Sequence, residues 1–272
     1  MIVIATDSSA YLTRQEAKEL KVVHIPMTYT IEEASFAETF ILENESFQRA
    51  IEIGAGNVIT SQPTMDAFER RFKRLVDAGC EVLCLTISSR LSGTYNNAKA
   101  CAAIYGEQIK VIDTKLSAGS LYLLICAVKE KIDRGASFAE VIAFAEEEKK
   151  KIESRFSVRD LMPLRKSGRL GFIRQSIGTI LNQRPILALE NGTVVCVGTA
   201  RGENDQIRKL IDAVPENAKK IVVEYFNEKE MAEKLKAHLE KKLGKEVMLR
   251  RIGLVLGVHL GYDVVGICWE NV

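Results

Sequence analysis

Proline is scarce, at 5 of 272 residues, and no stretch free of Asp, Glu, Lys and Arg exceeds 13 residues. The two such stretches, Ile53 to Met65 and Leu116 to Val128, fall short of the ~20 apolar residues a helix needs to cross ~30 Å of hydrocarbon, so no transmembrane segment is expected. Excess charge of one sign is lacking too. Lys plus Arg total 38 against 36 for Asp plus Glu, and a net +2 argues against a basic nucleic-acid footprint spread over the whole surface. Six cysteines, at 80, 84, 101, 126, 196 and 268, form no CxxC pair and sit mostly in apolar runs such as CEVLCLTI and GICW. Buried reduced thiols are expected, and no metal site. No GxGxxG follows the first apolar run and no GxxxxGK[ST] occurs, so dinucleotide and P-loop nucleotide binding lack their usual signals. HExxH and GxSxG are absent as well. The opening MIVIATDSSA has no basic n-region and reads as a first strand rather than a leader, so a cytoplasmic protein is expected.

What is present is a globular composition, 47% hydrophobic and 27% charged. At ~150 residues per domain the length suggests about two domains or one large one. Short β-branched runs alternate with amphipathic stretches in the first half, which predicts an α/β fold with a parallel sheet and helices on both faces. Expected strands are Ile2 to Thr6, Val22 to Met27, Val82 to Ile87 and Lys110 to Asp113. Expected helices run from Thr64 to Ala78, from Ser92, and from Ser117 to Arg134, the first with Phe68, Phe72, Leu75 and Val76 on one face. Ser137 and Glu140 form a capping box for a further helix, and EEEKKK reads as its solvated end. The pattern changes near residue 160. PILALENGTVVCVGT places two apolar runs around Asn191-Gly192, a hairpin signal, and KIVVEYF, a helix from Asn227 to Leu243, and strands at Val247 to Arg251 and Val264 to Trp269 follow. The chain therefore divides into an N-terminal α/β domain, 1–160, and a C-terminal domain with a mixed sheet and helices, 161–272.

Ligands of open parallel sheets sit beyond the carboxyl ends of the strands. The residues at those positions are Asp7, Ser8 and Ser9; Thr60, Ser61 and Gln62; and Ser88, Ser89, Ser92 and Thr94, a concentration of hydroxyls without lysine. Any one of them is commonly a helix cap. Together they suit an anionic oxygen cluster, a carboxylate or a phosphate, because helix starts present oriented donors. Of three histidines, His238 reads as a solvated helix residue and His24 as part of a strand. His259 lies among Gly253, Gly257 and Gly261, a flexible apolar loop able to bring an imidazole to another group. Arg169 and Arg201 stand beside glycines as solvated or partner-binding groups.

Several segments, ATDSSAYL, TSQPT at 60–64, SSRLSGTYNNA at 88–98, LRKSGRL at 164–170, RPIL at 184–187 and GVHLG at 257–261, together resemble the DegV family, which includes the FakB-type fatty-acid-binding subunits of bacterial fatty acid kinase. The resemblance implies a two-domain carrier, not an enzyme, that encloses one long-chain fatty acid and needs no other cofactor. It implies that Thr60, Ser61, Ser92 and His259 contact the carboxyl group, that Arg169 and Arg201 engage the kinase's catalytic subunit, and that this kinase phosphorylates the bound carboxylate. A peripheral encounter with a membrane fits the same reading. Met65, Phe68, Ile87, Leu91, Ile173 and Ile177 are expected to line the tail site. The chain departs from the family's GVHxGPG loop by placing Tyr262 and Asp263 after Gly261; Tyr262 would reshape the mouth, and Asp263 would pair with His259 or repel an acyl-phosphate. Two other readings use the same residues. One is a hydrolase or acyltransferase with Ser92 as nucleophile, His259 as base and Asp7 or Asp263 as orienting acid; the other is a binding protein for a small phosphorylated metabolite.

Overall fold

The expected parallel sheet forms from the β-branched runs of the first half, in a computed structural model that describes residues 1–41, 43, 58–173 and 183–272. Its order is β2 (Val22–Ile25), β1 (Ile2–Asp7), β6 (Glu81–Thr86), β7 (Ile109–Asp113), all parallel. Alternation along each strand covers the two faces with different helices. On one face Ala5, Val82 and Cys84 pack against Phe68 and Phe72 of the Met65–Asp77 helix and Ala98 of the Thr94–Ala102 helix; on the other Ile4, Leu83, Leu85 and Ile112 meet the Ala118–Asp133 helix. The Ser137–Glu140 capping box is present and starts the helix Phe138–Glu148. The end of that helix departs from the expectation for EEEKKK, because Glu148 is buried and ion-paired with Lys151.

Val22 to Met27 does not run as one strand. The parallel strand stops at Ile25, before Pro26, which has no N–H to give the ladder. The chain then builds a separate antiparallel sheet of β3 (Thr28–Ile31) between β4 (Ala34–Ala37) and β5 (Val58–Ser61), which the sequence pattern did not reveal.

The mixed sheet has seven strands. Its order is β13 (Met248–Arg251), β12 (Lys220–Phe226), β14 (Val264–Glu270), β8 (Ile152–Val158), β10 (Gln183–Glu190), β11 (Thr193–Arg201), β9 (Leu170–Ile173). β10 and β11 are the expected hairpin, with Asn191 and Gly192 both at positive φ, as a two-residue type I′ turn requires. β8 lies near the middle, antiparallel to β14 and β10, so the expected unit 1–160 includes a strand of the second sheet. The Ala118–Asp133 helix joins the two sheets. Leu121, Leu123, Leu124 and Ile125 are fully buried, and its core also contains Ile4 and Leu83 of the parallel sheet and Val222 and Cys268 of the mixed sheet. A helix segment apolar all round belongs between layers, which explains why its first eleven residues, Ala118–Val128, carry no charge while Lys129, Glu130, Lys131 and Asp133 lie in the turns beyond.

Candidate functional site

A cavity of about 330 Å³ lies where the strand-end loops of the parallel sheet, the three-stranded sheet and the inner face of the mixed sheet meet. Thr60, Ser61, Ser92 and His259 all line it, as do Ile87, Leu91 and Arg169. Thr60 is positioned by the pairing of β5 with β3, opposite Tyr29. Its Oγ1 lies 2.8 Å from Nε2 of His259, a hydrogen bond joining residues 199 positions apart. Ser92 Oγ is 2.8 Å from Thr94 Oγ1, in the turn that starts the Thr94–Ala102 helix. Gly93 in that turn lies against the end of the Gln62 side chain, whose amide would be 2.4 Å from a Cβ placed there.

His259 is held by a helix, Leu254–Leu260, and not by the flexible loop its glycines suggested. Those glycines serve contact. A Cβ on Gly257 would lie 2.4 Å from the Phe226 ring, and one on Gly253 2.3 Å from the Tyr11 ring and 2.5 Å from Glu38 Oε1. The start of the helix is anchored by two buried side chains, with Val255 N–H donating to Glu38 Oε1 at 2.9 Å and Leu256 N–H donating to the Tyr11 hydroxyl at 3.1 Å. Burial, and then the Arg169 cation, push the His259 imidazole down to about 4, so it is neutral near pH 7.

The first hydroxyl loop does not reach the cavity. Asp7 is fully buried and accepts from the N–H of Ser9 at 3.0 Å and of Ile87 at 2.7 Å, tying the ends of β1 and β6 together. Ser8 donates to Glu38 at 2.8 Å; Ser88 donates to the Gly192 carbonyl at 2.8 Å, clamping the hairpin turn; Ser89 accepts from Lys115 at 2.9 Å. Ser92, His259, Asp7 and Asp263 thus each bond elsewhere, and no hydrolytic relay is assembled among the described residues.

The DegV family model, described as that of an uncharacterised protein family, matches residues 1–272. The chain belongs to the DegV family. Protein DegV of Bacillus subtilis is 30% identical over 278 residues, covering 98% of each chain, and a DegV domain-containing protein of Halalkalibacterium halodurans is 30% identical over 277 residues, again 98% of each. Among solved structures, a DegV lipid-binding protein from Thermotoga maritima superposes with a TM-score of 0.87 at 27% identity, covering 99% of this chain and 98% of that one. A fatty-acid-binding DegV-family protein from Thermus thermophilus gives 0.88 at 26%, covering 100% and 99%. The DegV of Bacillus subtilis, solved as a fatty acid binding protein, gives 0.85 at 26%, covering 100% and 99%.

Tyr262 stacks on Phe226 with ring centroids 5.9 Å apart, and Asp263 accepts from Arg159 at 3.3 Å instead of pairing with His259. Arg169 lines the cavity and donates to the Leu91 carbonyl at 3.3 Å. Arg201 is exposed at the start of the Gly202–Asp212 helix and lies outside the lining. It is seven positions along β11 from Val194, the partner of Leu170 in a parallel pair, so about 25 Å of strand separates the two arginines. Of the expected tail contacts, Ile87 and Leu91 line the cavity; Phe68 is buried behind the parallel sheet and Met65 is half-exposed outside it. Ile177 and the side chain of Ile173 lie outside the described residues. The sequence reading missed Met27, Phe156, Glu224, Val255 and Leu256. Glu224, the charged residue inside the apolar run KIVVEYF, was the available signal for one of them.

Proposed function

We propose that this protein binds a long-chain fatty acid in the cavity and presents its carboxyl group to the catalytic subunit of a fatty acid kinase. The observation that carries this reading is the Thr60–His259 pair beside Ser61 and Ser92 at one region of a cavity whose remaining walls are mostly apolar. Burying ~14 methylenes at ~0.8 kcal/mol each contributes about 11 kcal/mol, against an association cost of about 4–15 kcal/mol. The tail thus supplies affinity and the head group supplies orientation. A carboxylate taken from water needs donors, or its burial costs several kcal/mol. With its proton on Nε2, His259 donates to Thr60 Oγ1 and leaves the Thr60 hydroxyl hydrogen for the ligand; Ser61 and Ser92 add two more hydroxyls.

In this reading the chain carries and the partner catalyses. Arg169, beside the head-group residues, and the exposed Arg201 form the partner's contact face, and a kinase touching both has a footprint about 25 Å long. Native mass spectrometry of untreated protein is expected to show a bound acid of a few hundred daltons. Thr60→Ala should weaken fatty-acid binding roughly 10- to 100-fold, as for a hydrogen bond to a charged group. Protein that is ligand-free and takes up no fatty acid in titration would refute the proposal. The kinase step is tested separately: Arg201→Ala should abolish acyl-phosphate formation with the kinase while leaving fatty-acid affinity unchanged.

A further inference from the structure

Strand register gives the cavity a direction. One face of the mixed sheet carries Val264, Gly266 and Cys268 of β14, flanked on β12 by Phe226, Glu224 and Val222 and on β8 by Val158, Phe156 and Ser154, and of these Val264, Glu224, Phe156 and Ser154 line the cavity. Each step of two residues advances about 7 Å. Glu224 therefore lies about 7 Å, and Ser154 about 13 Å, further along the sheet than Val264, where the strand begins after the His259 helix. The lining reached there is not apolar. Glu224 and Ser154 face the cavity although they are only 8% and 6% exposed, and Ser117 lines it beside them.

The sheet makes room for this carboxyl group. A Cβ on Gly119 would lie 2.8 Å from Glu224 Oε2, and one on Gly266 would meet Phe156 at 2.9 Å and Glu224 Cγ at 3.4 Å. Glu224 Oε2 accepts from the Gly119 N–H at 2.7 Å, and the Cys268 thiol donates to the same carboxyl group. Both partners are donors. Burial raises the carboxyl group to about 7, so near neutrality it is present both with and without its proton. A plain hydrocarbon tail offers such a group nothing. A hydroxyl, donor and acceptor at once, satisfies it in either state.

From this placement we propose that the inner end of the cavity is a second polar subsite, and that the protein's ligand is an acyl chain bearing a hydroxyl group far from its carboxyl, hydrogen-bonded to Glu224 and Ser154. The inference rests on the fatty-acid reading above. Its test is a competition titration of palmitic acid against its terminally hydroxylated analogue, on the full chain, with Glu224→Leu and Ser154→Ala as variants and thermal unfolding as the check on folding. The unsubstituted protein should prefer the hydroxylated acid by about tenfold or more, because a site built to hydrogen-bond a hydroxyl discriminates strongly against its absence. Glu224→Leu should reverse the preference and Ser154→Ala should narrow it; if the leucine variant does not fold, the alanine variant decides. Equal affinities, or a preference for palmitic acid in the unsubstituted protein, would overturn the subsite while leaving the fatty-acid reading standing. Binding of neither acid would overturn both.

Discussion

At the residue scale, the glycines around His259 show why a local pattern can mislead. Three glycines in nine residues read as flexibility, yet Gly253 and Gly257 are there because Tyr11, Glu38 and Phe226 occupy the space a Cβ would take. Gly257→Ala, in a helical position that tolerates alanine, should still cost about 1–3 kcal/mol through overpacking. Urea unfolding measures that cost, and a parallel loss of fatty-acid affinity would report the displaced imidazole. His259 makes a second prediction. Its ring is held down to about 4 by burial and by Arg169, and a carboxylate arriving beside it favours the charged form. Its pKa, followed by NMR, should therefore rise on addition of fatty acid, and a bound state with no upward shift would place the carboxyl group elsewhere.

At the element scale, the decisive piece is the seven-residue Leu254–Leu260 helix, too short to hold itself in water. Its order comes from Glu38 and Tyr11, which meet the first N–H groups. Glu38→Ala leaves buried donors unpaired and should cost about 1–3 kcal/mol, with faster amide exchange concentrated at Val255 to His259 rather than spread through the mixed sheet. Elements with strong local signals were legible: the Asn191-Gly192 hairpin, the Ser137–Glu140 capping box and the Met65–Asp77 helix all form. The three-stranded sheet was not. Its strands are four residues each, and β3 is held by partners on both sides rather than by any pattern of its own.

At the scale of the whole molecule, burial sets two pairs of groups against each other. Glu38 and Glu224 are raised from 4.5 to about 7, so the folded protein keeps protons that the unfolded chain releases. The cost to stability is absent below about 4.5, grows as pH rises and is complete above about 7. His24 and His259 are lowered from 6.5 to about 4, so their contribution is lost as pH falls through that interval. The two effects oppose across nearly the same range. Glu224→Gln removes one carboxyl from the balance, and its stability relative to the unsubstituted protein should increase from pH 5 to pH 7, as urea midpoints at several pH values would show. A constant difference would mean that Glu224 keeps an ordinary pKa.

The sequence by itself determined the α/β class, the parallel sheet, the hairpin and the family, and it pointed to Thr60, Ser61, Ser92 and His259, which the fold brings to one cavity. Those signals are local, being periodicity, turn chemistry and short motifs. Only the tertiary structure decided that Asp7 ties two strands together instead of facing the cavity, that β8 belongs to the second sheet, and that Glu224 and Ser154 meet that same cavity. Such facts depend on which strands pair and which faces are buried, and these are settled by contacts between residues far apart in the chain.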